Sequence, residues 1–298
     1  MRIVVLANCA SGVGAEEGAR RAAISAAFQP TGMDPDVRCV LGGEMQQAAR
    51  DAARGRPDVV VAAGGDGSVS AVAGALAGTR VAMAVLPFGT LNHFARDAGI
   101  PADLEQAAAL AVDGKAGPVD VAEVNGHVFV NNSSIGVYPR AVRERRRLRA
   151  QGAPSKRWAT LQAAWTVLQR LPAHEVLLTI DGRPVFRTTS FVFVGNNSYE
   201  TGFGRLGRRA SLTAGHLGVY HAVRPGRRAV LALAARAFAG RLDGASDLQA
   251  EEAQRLTIAS PRPEMRVALD GEVRRLRTPL EYRTRPGDLL LVRPPGAP

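Results

Sequence analysis

Lysine is almost missing from this sequence: Lys115 and Lys156 stand alone among 38 basic residues, and arginine supplies the rest. That scarcity excludes two phosphate-binding devices. The P-loop needs G-x-x-x-x-G-K-[ST], and neither lysine has that context. The protein-kinase pattern needs a strand lysine of the V-A-I-K type, which is also missing. Any nucleotide must therefore be held by backbone N–H groups and arginines. Cysteine is nearly absent too. Cys9 and Cys39 sit in apolar stretches with no CxxC or Cys/His spacing, so a disulfide framework or zinc site is not expected. Aromatics make up 5%, and no stacking motif or recognition helix is visible, which counts against a nucleic-acid binder. No apolar run approaches the roughly 18 residues of a membrane span. The opening MRIVVLANCASG is too short and too soon glycine-rich for a signal peptide. It reads as a buried strand, with the cytoplasm as the expected compartment.

What is present points to two folded units. At 298 residues, with 46% hydrophobic, the chain has the length for about two domains and the apolar content for two cores. A net charge of +11 favours an anionic partner: phosphates, an anionic membrane surface or nucleic acid.

The first ~120 residues alternate as parallel α/β units do. Strands are expected at Ile3–Leu6, Val37–Leu41, Asp58–Ala63 and Val81–Leu86. Helices are expected at Ala15–Phe28, Glu44–Arg54, Val69–Leu76 and Leu104–Val112. The run DVVVAA at 58–63 is apolar almost throughout, as a strand buried on both faces requires. From about Val119 the pattern turns to hairpins, with Asn125-Gly126 and Asp181-Gly182 as two-residue turn signals. Later strands are expected at Leu217–Val223, Leu256–Ala259, Met265–Leu269 and Leu289–Val292, with helices at Arg140–Leu171 and Ala229–Ala239. The expected fold class is α/β plus β-rich. A Rossmann-like parallel α/β domain spans 1–120, and an antiparallel, sandwich-like domain spans 121–298. The C-terminal end is a candidate to return to the first domain.

Four segments carry candidate chemistry. Gly64-Gly65-Asp66-Gly67-Ser68 lies between an expected strand and an expected helix. Glycines there permit positive φ and leave no side chain between backbone and ligand. Successive amides at a helix start can then cradle phosphate. Asp66 stands where open α/β sheets bind ligands, and could hold Mg²⁺ or act as a base. The plainer alternative is a strand–helix turn with an aspartate cap. Asn8 to Gly14, with Ser11 and Gly12, forms a second glycine-rich loop after the first strand, equally readable as a simple connection. The third is PFGTLNHFAR at 87–96, where Gly89 fixes a turn and Thr90 and Asn92 offer donors. Taken alone, Thr90 reads as an ordinary N-cap. His93 reads as a partly buried surface residue. The fourth, Leu269-Asp270-Gly271-Glu272, offers two carboxylates around a glycine turn as base and Mg²⁺ ligand. Alone it reads better as a hairpin with solvated acids.

Taken together, GGDGS, PFGTLNHFA and LDGE, in that order, resemble the catalytic domain shared by diacylglycerol kinases, sphingosine and ceramide kinases and bacterial soluble lipid kinases. The resemblance covers essentially the whole chain. It implies ATP lying across Asn8–Gly12, Gly65–Ser70 and Thr90, with Mg²⁺, and an acceptor lipid between the domains. It also implies that Asp270 or Glu272 removes the hydroxyl proton, without deciding which. Departures are visible. Cys9 replaces a proline, His93 stands where an aspartate is common, and Ser70-Ala71 replaces Asn-Glu. Ala214 stands where many bacterial relatives hold a structural Mg²⁺, which argues against that site here.

Arg140, Arg143, Arg145, Arg146, Arg147 and Arg149 fall in one expected helix, a candidate contact for an anionic membrane. A solvated basic face is an equal alternative. The expected activity is ATP-dependent phosphorylation of a lipid hydroxyl, with diacylglycerol as first guess, by a cytoplasmic enzyme peripheral at the inner membrane face. The alternatives are an NAD-kinase-like phosphotransferase on a soluble acceptor and a non-catalytic nucleotide sensor or anion-binding protein.

Overall fold

The computed structural model describes residues 1–9, 14–136, 173–200, 207–223, 226, 231, 233, 235–236 and 248–297. Ser11, Gly12, the basic segment with Arg143, Arg146 and Arg147, the expected helix Arg140–Leu171 and most of Ala229–Ala239 lie outside these residues.

Four parallel strands open the chain: β1 (Ile3–Asn8), β2 (Asp36–Val40), β3 (Val59–Gly64) and β4 (Ala82–Pro87), ordered β2-β1-β3-β4. β3 is buried along its whole length because helices cover both faces of a parallel sheet. Between and after these strands run α1 (Gly14–Phe28), α2 (Met45–Arg54), α3 (Asp66–Leu76), the short α4 (His93–Asp97) and α5 (Leu104–Asp113). Helix α2 buries Met45, Ala49 and Ala52, one face at helical spacing. Helix α5 starts where Asp103 accepts the Gln106 amide at 3.0 Å, an aspartate N-cap.

β5 (Lys115–Val124) then runs across residues 118–124, where composition changes. The strands that follow are β6 (His127–Phe129), β7 (Asn132–Gly136), β8 (His174–Ile180), β9 (Arg183–Thr189), β10 (Phe191–Asn196) and β11 (Leu217–Ala222). The last five are β12 (Leu248–Ala253), β13 (Arg255–Ala259), β14 (Glu264–Leu269), β15 (Glu272–Arg277) and the long β16 (Leu280–Arg293). β16 pairs antiparallel with β5 and β13, and near its end lies parallel to β4 through Leu291 and Met83. The parallel sheet therefore continues into antiparallel strands, in the order β4-β16-β13-β8-β9.

A second, wholly antiparallel sheet is ordered β12-β11-β10-β7-β14-β15. Val176, Leu178, Ile180, Leu256 and Ile258 of the first sheet share one apolar core with Ile135, Val192, Val194 and Val267 of the second. Alternation along these strands places their apolar side chains in that common layer. The fold is an N-terminal parallel α/β unit followed by an antiparallel β-rich, sandwich-like unit.

Three hairpins use the same turn chemistry. Asn125-Gly126, Asp181-Gly182 and Asp270-Gly271 have φ pairs of 45° and 80°, 45° and 82°, and 46° and 85°. Two consecutive left-handed residues define the turn whose twist matches the strands it joins.

Candidate active site

The glycine turn leaves the carboxyl end of β3 and becomes the first turn of α3. Helix α3 begins at Asp66 with Gly65 at its cap position, and no side chain caps it. Ser68 and Val69 donate their amides to the Gly65 carbonyl, at 2.9 and 3.1 Å. Glycine permits positive φ, but none of Gly64, Gly65 and Gly67 lies in the left-handed region. Close approach explains Gly64, and likewise Gly89 in the loop after β4. A Cβ on Gly64 would lie 2.5 Å from Ser68 Oγ, and one on Gly89 would lie 2.7 Å from the Gly65 Cα. The turn and the loop after β4 thus meet backbone to backbone. A Cβ on Gly67 meets nothing within 4 Å, so that position stands open.

Asn8, at the end of β1, donates from Nδ2 to Ser68 Oγ at 3.1 Å. Its buried Oδ1 has no donor among the described residues, which leaves an acceptor at the edge of the turn. Asp66 Oδ1 accepts the Phe94 amide of α4 at 3.2 Å. Thr90 is not the N-cap of α4. That position belongs to Asn92, with φ of 46°, and Thr90 is exposed. Asn92 folds back on its own loop, where Oδ1 accepts the Gly89 amide at 3.0 Å and Nδ2 donates to the Gly89 carbonyl at 2.8 Å. Its amide therefore holds the loop in shape. His93 is exposed rather than partly buried, with its ring beside Arg96.

The turn faces the Asp270-Gly271 hairpin across a cleft of about 530 Å³. Asn8, Gly65–Ser68, Ser70, Asp270 and Glu272 all line it, so one space collects residues from three of the four sequence segments. The same cleft holds Arg50 of α2 and Arg274 of β15, neither evident from the sequence beyond the general demand for arginines.

The two acids of the hairpin are not equivalent. Asp270 Oδ1 accepts the amides of Asn131 and Asn132, at 2.8 and 2.9 Å. Oδ2 accepts the Val130 amide at 2.9 Å and the Ser70 hydroxyl at 2.5 Å. A carboxylate has about four acceptor sites, and all of them are taken. Burial pushes the Asp270 carboxyl above the ordinary range, with Ser70 and the three amides pulling the other way. Glu272 is different. Its side chain is 58% exposed in the cleft, and its ionic contact is a loose 3.8 Å approach to Arg274. Asp270 therefore anchors the turn, and Glu272 is the acid with oxygens to spare. The expectation of a hairpin with solvated acids holds for Glu272 and fails for Asp270. The reason is a clasp of amides that no sequence pattern announces.

The acidic and polar set fits a nucleotide with a divalent cation. Asp66 keeps Oδ2 without a protein donor among the described residues, next to uncapped amides of α3. Among the described residues no three His, Cys, Asp or Glu side chains gather to hold a metal unaided. An ion at Asp66 would need phosphate oxygens as further ligands, as Mg²⁺ commonly does. At the Ala214 loop, Asp120 accepts the amides of Gly215 and Gly287, at 2.7 and 2.9 Å.

Residues 2–124 match the family model of the diacylglycerol kinase catalytic domain. That stretch is similar to the catalytic domain of diacylglycerol kinases. It contains the GGDGS turn and the loop after β4, but not the hairpin that closes the cleft. A diacylglycerol kinase of Bacillus subtilis strain 168 is 38% identical over 108 residues, 35% of this chain and 36% of that protein. A probable lipid kinase YegS-like protein of Pectobacterium atrosepticum is 37% identical over 140 residues, 45% and 44% of the two chains. The chain thus spans less than half the length of the curated relatives it matches. A crystal structure named as a diacylglycerol kinase from Bacillus anthracis strain Sterne superposes with a TM-score of 0.68. It covers 100% of this chain and 98% of that one at 20% identity, which shows a shared fold across both residues 2–124 and the β-rich remainder.

Proposed function

We propose that this protein is an ATP-dependent lipid kinase that transfers the γ-phosphoryl group to a lipid hydroxyl, with diacylglycerol as the first candidate acceptor. The observation that carries the reading is the cleft itself. An uncapped glycine turn and Asp66 form one wall, and a carboxylate with free oxygens, Glu272, forms the other.

In this reading the amides at the start of α3 bind phosphate oxygens, and the unpartnered Asn8 Oδ1 accepts from the nucleotide. Arg50 and Arg274 supply the positive charge that a lysine-poor chain must take from arginine. Asp66 would hold Mg²⁺, which neutralises charge on the phosphates when bound. Glu272 takes the proton of the acceptor hydroxyl, a task that needs an accessible oxygen and so favours it over the saturated Asp270. No helix among the described residues is long and apolar enough to cross a membrane. In this reading the lipid is met at a membrane surface. The arginines at 143, 146 and 147 are the proposed contact with an anionic inner membrane face, where the product would enter phospholipid synthesis.

The test is turnover of radiolabelled ATP with mixed vesicles carrying diacylglycerol or other lipid alcohols, with and without Mg²⁺. A labelled lipid that requires intact Glu272 is the expected result. ATP binding without any labelled lipid would sink the lipid-kinase reading and leave a soluble acceptor or a sensor.

A further inference from the structure

Arg209 is wholly buried, and none of the chemistry above uses it. It lies in the segment before β11, where it pairs with Tyr199 in an isolated antiparallel bridge. Its guanidinium divides its donors between two different parts of the fold. Nε donates to Asp97 Oδ2 of α4 at 3.0 Å, within a fully buried ion pair. Nη1 donates to the Val130 carbonyl at 2.5 Å and more weakly to that of Asn196 at 3.4 Å. Nη2 donates to Asn131 Oδ1 at 3.1 Å. The rings of Phe94 and Tyr199 flank it, 5.7 and 5.8 Å from the guanidinium carbon to the ring centres.

Both ends of this connection lead to the site. On the α4 side, Asp97 shares a helix with Phe94, whose amide holds Asp66. On the other side, Val130 and Asn131 are two of the three residues whose amides clasp Asp270. Asp270 fixes the turn that presents Glu272. We propose that Arg209 is a positioning residue that sets the Glu272 hairpin in register with the Asp66 turn through the Val130–Asn132 clasp. It touches neither nucleotide nor acceptor. The planar fork of arginine suits this task because its donors diverge toward acceptors on separate elements. A lysine ammonium keeps the charge but cannot reproduce that geometry.

This inference rests on the kinase reading for its catalytic consequence, but its mechanical content does not. Arg209→Lys is the first variant. Asp97→Asn, which keeps shape and one acceptor, is the second if the first fails to fold. Lipid-labelling kinetics should show kcat lower by about ten- to a hundredfold, the scale of a misplaced reacting group, with KM for ATP little changed. The decisive comparison is a double-mutant cycle with Glu272→Gln. If Arg209 acts through Glu272, Arg209→Lys adds little to the Glu272→Gln variant, whereas a merely structural role lowers both backgrounds by the same factor. Amide hydrogen exchange of residues 129–133 is measured on the same proteins, and faster exchange in Arg209→Lys is expected. Unchanged protection there, or equal factors in the cycle, overturns the proposal. Should the wild type label no lipid, the kinase reading fails, and hydrogen exchange still decides whether Arg209 holds the clasp.

Discussion

Ser70 Oγ lies 2.5 Å from Asp270 Oδ2, a hydrogen bond that joins α3 to the hairpin 200 residues later in the chain. Ser70 stands on the helix that begins with Asp66, so this contact ties the glycine turn directly to the acidic turn. What looked in the sequence like the loss of an asparagine is a working link between the two walls of the cleft.

Removing that hydroxyl should loosen the two walls without abolishing the fold. Ser70→Ala is expected to cost about 1.5–3 kcal/mol, the range for a hydrogen bond to a charged group. Urea denaturation checks this, and a cost below ~0.5 kcal/mol would mean that the three amides hold Asp270 unaided.

The two hairpin acids should separate cleanly. Glu272→Gln is expected to keep the fold and ATP binding while lowering lipid phosphorylation by about 10²–10⁴-fold, the worth of a general base. Asp270→Asn turns its amide against backbone N–H donors, so its main effect should be on stability, about 1–3 kcal/mol. Thermal melts beside the labelling assay distinguish the two. The reverse ranking would make Asp270 the base.

The glycines around the turn should differ among themselves. Gly64→Ala places a methyl against the Ser68 side chain, and Gly89→Ala places one against the Gly65 backbone. Each should destabilise by about 1–3 kcal/mol. Gly67→Ala meets nothing in the protein, so it should melt like the wild type yet bind ATP more weakly if phosphate occupies that position. Calorimetric titration with ATP is the measurement. Unaltered affinity in Gly67→Ala would move the phosphates elsewhere.

A pH effect should come from a histidine remote from the cleft. His221 is buried on β11, and its pKa lies below the ordinary 6.5, chiefly from burial, with the charge of Arg187 acting in the same direction. Hydrogen bonding at Ala222 and the charge of Glu251 pull the other way. Between the lowered folded value and 6.5 the unfolded chain binds more protons than the folded one, so stability falls as pH drops through that window. Denaturation midpoints measured downward from about pH 7 should decline, and His221→Gln should flatten that slope. A slope that persists in the variant would assign it to another group.

Much of the first unit was readable because its signals are local. Continuous apolar runs such as Val59–Val61 fit strands covered on both faces. The glycine turn at 64–68 sits where strand hands over to helix. The hairpins at Asn125-Gly126 and Asp181-Gly182 were equally legible, since a two-residue turn with positive φ at both positions selects those residue types. The roles of individual site residues were not. Asn92 passed for a ligand donor although it braces its own loop, and Thr90 for a cap although that position falls two residues later.

Sequence alone determined the order of strands and helices in the first unit, the scarcity of lysine that leaves only amides and arginines for any phosphate, and the identity of the acidic turns. Tertiary structure decided which acid is free. Asp270 and Glu272 are two residues apart and chemically alike, and their difference arises because the amides of Val130, Asn131 and Asn132, leading into β7, close on one carboxylate together with the Ser70 hydroxyl. The same holds for Arg209, an ordinary arginine among many until folding buries it between Asp97 and Val130. Hydrogen-bond saturation and burial depend on partners far away in sequence, so no local pattern records them.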